Sequence, residues 1–142
     1  MRHIPVSSVV SFAVLAAACA SPLQAADVAV ALQGARSQAG TFQVALVDAD
    51  GYAGTAAPVA ARQLPPDGAV TRVAFDGIAP GRYAVMVVHD ENGNGRLDSN
   101  LAGIPVEGYG FSNNPRVLRR PTFDEAAFDV GDADVALDIT IR

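Results

Sequence analysis

From Asp27 to Leu32 the chain alternates, D-V-A-V-A-L, with Val28, Val30 and Leu32 on one face, which is the two-residue period of a half-buried strand. Gly34 to Gly40 reads as a turn. Thr41 to Val47 repeats the alternation with Phe42, Val44 and Leu46 inward, so the two segments are expected to open the domain as an antiparallel pair. Asp48-Ala49-Asp50-Gly51 reads as the turn that closes this pair, followed by an alanine-rich loop with Pro58 and a short edge strand near Ala60 to Leu64. Pro65-Pro66-Asp67-Gly68 is turn chemistry, because proline presets the first turn dihedral and glycine accepts positive φ. Thr71, Val73 and Phe75 then alternate along a fourth strand.

After a second tight connection at Asp76 to Gly81, the run Arg82 to His89, R-Y-A-V-M-V-V-H, is apolar on both faces and predicts a central strand. Leu101 to Pro121 has no sustained period and carries glycines at 103, 108 and 110 and prolines at 105, 115 and 121, which predicts an ordered excursion. Asp134 to Arg142 places Val135, Leu137, Ile139 and Ile141 inward, a last strand. Helical periodicity in the region after the N-terminal apolar run is confined to one turn near 122–127, where Thr122 is positioned to cap and Glu125 lies three residues on. The pattern as a whole predicts an all-β fold, a single antiparallel β-sandwich of about seven strands, prealbumin-like or immunoglobulin-like, with that one short helical turn.

The first 25 residues differ in kind. A basic start at Arg2, an uncharged apolar run from Val9 to Ala20 and small residues before Asp27 predict a signal peptide, with cleavage after Ala25. The apolar run is shorter than the roughly 20 residues a bilayer crossing needs. Cleavage there removes Cys19, the single cysteine, so the remaining domain, 26–142, holds itself by its core without disulfides. The alternative is a lipid anchor through Cys19, against which Leu15 stands one place too far upstream. Either way the expected destination is the periplasm or beyond.

With 142 residues, one domain is the expectation. Ten arginines and no lysine stand against 15 acids, a formal charge of -5, which argues against nucleic acid as a partner because phosphate binding needs a positive face.

The chemistry-bearing window is His89-Asp90-Glu91-Asn92-Gly93-Asn94-Gly95-Arg96-Leu97-Asp98. Side-chain oxygens at Asp90, Asn92, Asn94 and Asp98 follow the alternate placement by which a tight loop aims ligands at one hard cation. Gly95 supplies the turn that lets the Arg96 carbonyl point inward, and Leu97 packs into the domain. The spacing matches the first nine positions of an EF-hand loop, but the twelfth is Leu101 in place of the bidentate glutamate. Calcium affinity is therefore expected to be weak, on the order of 10⁻⁴ to 10⁻³ M, with Glu107 the best candidate for an additional acid. The competing reading is that Asn92-Gly93-Asn94-Gly95 is a metal-free hairpin tip, since Asn-Gly favours positive φ and aspartates stabilise turns locally. Zinc is disfavoured, since only His89 and no cysteine follow the expected cleavage point.

His89, Asp90 and Glu107, with Tyr109 and Ser112 nearby in sequence, also admit an acid–base reading, a small hydrolase or lyase. The chain has no Gly-x-Ser-x-Gly turn to present a nucleophile. Tyr109 and Phe111 in Gly108-Tyr109-Gly110-Phe111 are candidates for ligand stacking against a carbohydrate, a peptide or another envelope component, or else pin the long loop onto its sheet. Arg116, Arg119 and Arg120 form the basic cluster, read as an anion site or as loop solvation. The expectation is a non-enzymatic binding or structural module with a calcium loop at 90–98.

The run from Gly81 to Phe111, with its His-Asp-Glu-Asn-Gly-Asn-Gly block and the Gly-Tyr-Gly-Phe-Ser block that runs one residue on to Ser112, closely resembles the signature of the bacterial exported family called domain of unknown function 2141. Pro121 to Phe128, P-T-F-D-E-A-A-F, is similar to that family's second block. The resemblance implies an exported protein and brings no substrate, catalytic residue or partner. The strand followed by Asp-x-Asn-x-Asn-Gly-x-x-Asp also looks like the prealbumin-like and Cna-B-like sandwich modules of surface proteins, some of which hold calcium in such loops. That second likeness is at fold level, where fold does not establish function.

Overall fold

The structure is a computed structural model that describes residues 25–142. The expected signal peptide, with Cys19, lies outside the described residues but for Ala25. Eight strands and two short helices follow in the order β1 (Ala26–Gln33), β2 (Thr41–Val47), α1 (Ala49–Ala53), β3 (Ala60–Leu64), β4 (Val70–Ile78), β5 (Gly81–Asp90), β6 (Gly108–Phe111), α2 (Phe123–Ala126), β7 (Phe128–Val130) and β8 (Val135–Thr140). The all-β sandwich that the alternation implies is the observed architecture. One sheet runs β4-β1-β8; the other runs β3-β2-β5-β6, with β7 also on β5.

The inward faces meet as the two-residue period requires. Val28, Val30 and Leu32 of β1 pack with Phe42, Val44 and Leu46 of β2, Val73 and Phe75 of β4, and Val85 and Val87 of β5, all buried in one core. Burying side chains of this size stabilises by roughly 1.5–3 kcal/mol each. β5 is the hub, as its two apolar faces imply. It pairs with β2 along Ala84–Asp90 on one edge, and on the other with β7 through Gly81–Tyr83 and β6 through Met86–His89.

Three expectations need correction. β1 and β2 do not pair; they lie in different sheets, and the Gly34–Gly40 connection crosses from one to the other. Alternation tells a strand which face to bury and leaves its neighbour open. The crossing is close: a Cβ on Gly40, which has φ of 75°, would lie 2.1 Å from the Asp90 carbonyl oxygen. Second, the sandwich is not wholly antiparallel, because β1 pairs in parallel with β8 from Val28↔Val135 to Gln33↔Thr140. A parallel neighbour needs a long crossover, and here the whole intervening chain supplies it. Third, Ala49–Ala53 is a helical turn, where a simple closing turn is expected from the sequence: Asp48 caps it by accepting the Gly51 amide at 2.8 Å.

That turn has a job in packing. The outer face of β5, at Ala84 and Met86, is covered by Tyr52 from α1 and by Phe123 and Ala126 from α2, a second small core with Val47 and Phe111. α2 forms at the expected place with Thr122 and Glu125 in a reciprocal capping box. The Tyr52 hydroxyl donates to the Pro121 carbonyl at 2.6 Å, and Arg120 lies over the Tyr52 ring at 4.4 Å. The 115–121 segment is thereby fastened to α1.

Candidate functional site

The candidate site sits where β5 ends. In β5 Tyr83, Val85, Val87 and His89 face the core, so Asp90 is delivered to the opposite face of its sheet, beside Gln43 of β2. Asp90 is 3% exposed, and its carboxylate is the centre of the loop. Oδ1 accepts the Gly93 and Asn94 amides at 2.8 and 3.1 Å; Oδ2 accepts the Gly95 amide at 2.8 Å and the Gln43 side-chain amide at 3.1 Å. Gly93 and Gly95, at φ of 77° and 81°, are what let three successive amides turn toward one carboxylate. Burial works to raise the Asp90 carboxyl, but the hydrogen bonds from Gly95, Gly93, Asn94 and Gln43 together outweigh it and hold it below the usual carboxylate range.

The next shell follows the same spacing. Asn92 Oδ1 accepts the Asn94 amide at 3.0 Å, and Asn94 Oδ1 accepts the Arg96 amide at 3.0 Å. The two side-chain NH₂ groups converge on one atom: Asn92 Nδ2 and Asn94 Nδ2 donate to Asp98 Oδ2 at 2.6 and 2.8 Å. Those two bonds, from Asn94 and Asn92, hold the Asp98 carboxyl low, and Arg96, whose Nε is 3.5 Å from Asp98 Oδ1, adds to the effect. The expected side chains therefore do meet, at positions 3, 5 and 9 of the loop. Position 1, Asp90, organises the backbone around them.

Glu107 is nearby but does something different. It is buried, and its Oε1 accepts the Glu91 amide and its Oε2 the Asp98 amide, both at 3.0 Å. It clamps the two ends of the loop together, and the Asn92–Asn94–Asp98 cluster forms without it. Glu91 is held outside by Ser37 at 3.0 Å and by Arg36 at 3.8 Å. Gln43, Ser37 and Arg36 are participants that the sequence reading misses. They sit far from the loop along the chain, Gln43 47 residues before Asp90 and Ser37 54 before Glu91, and nothing local marks a polar strand position as a partner of a distant turn.

His89 is fully buried, with its ring 4.6 Å from that of Phe42. Nε2 is 2.8 Å from the Ala39 carbonyl oxygen, which can only accept, so Nε2 carries the proton. Among the described residues the buried Nδ1 has no hydrogen-bond partner; it lies 3.9 Å from Glu91 Oε1. His89, Asp90 and Glu107 thus each face a separate set of backbone groups and share no common centre.

The Gly-Tyr-Gly-Phe-Ser-Asn-Asn block joins the sheets. A Cβ on Gly108 would stand 2.7 Å from Ile141 Cγ2, and one on Gly110 2.7 Å from Ile139 Cγ2, so glycine lets β6 lie against the end of β8. Tyr109 and Arg142 exchange backbone hydrogen bonds of 3.2 and 2.9 Å, tying the sheet edges at this side. Ser112 receives the Val85 amide and donates to the Ala126 carbonyl. Tyr109 and Phe111 point to the other face, half-buried, with ring centroids 6.2 Å apart. The cleft they line with Arg119 and Arg142 has a volume of about 10 Å³. That is room for one water, against the several hundred Å³ of small-molecule sites. Arg119 is engaged by Glu125 through two bonds of 2.7 and 2.9 Å, and Arg120 by the Tyr52 carbonyl at 2.8 Å.

Among the described residues no helix is long and apolar enough to cross a membrane. Residues 30–138 match the family model DUF2141, uncharacterized protein conserved in bacteria, and the chain belongs to that family. No curated protein and no solved structure matches it.

Proposed function

We propose that this DUF2141 chain is an exported, non-enzymatic binding or structural module of the cell envelope whose 90–98 loop takes up calcium weakly. One observation carries the reading: the Asn92 and Asn94 side chains both end on Asp98 Oδ2, at 2.6 and 2.8 Å. Rotating the two amides end for end puts two carbonyl oxygens beside that carboxylate, an all-oxygen cluster suited to a hard cation. Among the described residues no three histidine, cysteine or acid side chains gather as a metal site, so the cation relies on the asparagines. The rotation breaks the two amide–carboxylate bonds and the bonds to the Asn94 and Arg96 amides, which keeps the affinity low.

A second reading has its own observation. The four acceptor positions of the Asp90 carboxylate are already filled by three backbone amides and Gln43, so the loop is organised without a cation. In that reading it is a hydrogen-bonded hairpin tip.

A thermal melt in EDTA and then in millimolar calcium, on the wild type and on Asp98→Ala, separates the two. Binding to the native state alone at a hundred times the dissociation constant adds about 2.7 kcal/mol. A calcium-dependent rise that Asp98→Ala abolishes supports the calcium loop. An unchanged melting temperature assigns the metal-free tip.

A further inference from the structure

The outermost strands of a sandwich carry unpaired amides and carbonyls that invite another strand unless something covers or shortens the edge. Most of the edges here are dealt with. β8 is completed by the Asn114 side chain, which bonds the Asp138 carbonyl and the Thr140 amide, and β6 exchanges two backbone bonds with Arg142. β7 has three residues, and β3 has five, set between Pro58 and Pro65-Pro66. β4 is different: it is nine residues long, holds no proline and pairs on one side, with β1. Among the described residues nothing outside β1 bonds to its backbone from Val70 to Asp76.

The side chains along that edge fit one kind of neighbour. Arg72, Ala74 and Asp76 alternate on the exposed face, while Thr71, Val73 and Phe75 are buried. Arg72 and Asp76 are four residues of strand apart, about 13 Å, too far to pair with each other. Neither has an ion-pair partner among the described residues. When two identical strands pair antiparallel about a twofold axis, opposed residues share a face, so the axis must pass through a residue. Centred on Ala74, it sets Arg72 of each copy opposite Asp76 of the other, with opposed Cβ atoms roughly 4.5–5.5 Å apart, and Val73 opposite Phe75. Centred on Val73 or Phe75, it sets Arg72 against Ala74 or Ile78; centred on Arg72 or Asp76, it opposes like charges. The β-bulge of β4 lies at Asp76–Gly77, past that centre, and the ladder is regular from Val70 to Phe75.

We infer that β4 is a dimerisation edge: two copies pair antiparallel through it about Ala74, joining their three-stranded sheets into one of six, with reciprocal Arg72–Asp76 ion pairs on the exposed face. The self-match is what selects a second copy, because a cation and an acid at equal distances from one central residue complement the same strand reversed. The core behind the edge needs no cover. The Arg62 guanidinium of β3 already lies over the Phe75 ring at 5.4 Å, so what stays open is backbone. A contact one strand wide falls below the roughly 1,000 Å² of a stable interface, which makes the dimer weak and concentration-dependent.

Sedimentation velocity on the intact protein in EDTA, from micromolar to millimolar concentration, follows the monomer–dimer equilibrium. Arg72→Asp and Asp76→Arg each turn both attractive contacts into repulsive ones, and each is expected to raise the dissociation constant about tenfold or more. The two exchanges together restore opposite charges and are expected to bring it back to within about threefold of the wild type. Both positions are exposed, so all four proteins should melt alike when dilute. β4 amides that point away from β1 should exchange quickly in the monomer and slowly where the dimer dominates, a protection that contact through sheet faces does not give. A wild type that stays monomeric at millimolar concentration overturns the inference and leaves the edge to an extended segment of another protein. Association that the single reversals do not weaken, that the double exchange does not restore, or that leaves the β4 amides unprotected also overturns it. Calcium-dependent melting is read separately, so this inference and the proposed function can each fail alone.

Discussion

Glu107 accepts the backbone amide of Asp98 at 3.0 Å, closing nine residues of loop with a buried carboxylate. Its other oxygen takes the Glu91 amide, so one side chain fixes both ends of the candidate site. Glutamine in its place keeps one acceptor and turns an NH₂ toward an amide that also donates. Glu107→Gln is expected to cost about 1–3 kcal/mol in urea unfolding, and to speed hydrogen exchange of the Glu91 or Asp98 amide. Unchanged stability and exchange would remove the clamp from the account.

Acid should loosen both this loop and the cap of α2. The carboxyls of Asp90 and Asp98 are held below their ordinary range, and Glu125, paired with Arg119 and capped by Thr122, is lowered from 4.5 to about 2. A depressed folded-state value means stability that is complete above the unfolded value and is lost as pH falls toward the folded one. The melting temperature is therefore expected to hold near neutrality and to fall below about pH 4.5, continuing toward pH 2. Glu125→Gln should flatten part of that fall; an identical pH profile would show that Glu125 carries none of it.

Gly110 tests how β6 meets β8. An added Cβ would stand 2.7 Å from Ile139 Cγ2 and 3.2 Å from the Thr140 carbonyl oxygen, against a branched side chain and a backbone atom that have little room to give. Gly110→Ala is expected to destabilise by about 1–3 kcal/mol in chemical denaturation. Gly131, with open space around it, serves as the control, since Gly131→Ala should be near neutral. Equal effects at the two positions would refute the packing argument.

Asn114 completes the exposed edge of β8 with its side chain. Nδ2 donates to the Asp138 carbonyl at 2.8 Å and Oδ1 accepts the Thr140 amide at 2.8 Å, the pattern a neighbouring strand would make. In Asn114→Ala the Thr140 amide loses its acceptor, and its hydrogen exchange should accelerate. Asn114→Asp keeps an acceptor for Thr140 and should protect that amide better than alanine does. The same exchange rate in both variants would mean that the side chain is not the partner.

The strands themselves were readable because burial alternates with a period fixed by the pleat. Val28, Val30 and Leu32 or Tyr83, Val85 and Val87 need only one hydrophobic side to reveal themselves. The capped turn at Thr122 and Glu125 was readable for the same kind of reason, since both partners lie within one turn of helix. The loop of Asp90, Asn92, Asn94 and Asp98 was readable as a convergence of polar side chains because its partners are close neighbours along the chain. The aromatic block was less so: Tyr109 and Phe111 stand out by residue type, while the reason for Gly108 and Gly110 lies in Ile139 and Ile141.

The sequence by itself determined which residues face inward, where the turns fall and which polar atoms gather at the end of β5, because each of these follows from neighbours a few residues apart. The tertiary structure alone decided that β1 lies between β4 and β8, that Gln43 joins the loop and Glu107 clamps its two ends by backbone amides, and that Leu101 and Ile104 are left in water. Those outcomes depend on which of several equally apolar edges meet, a choice set by the packing of the whole core and written in no single stretch of chain.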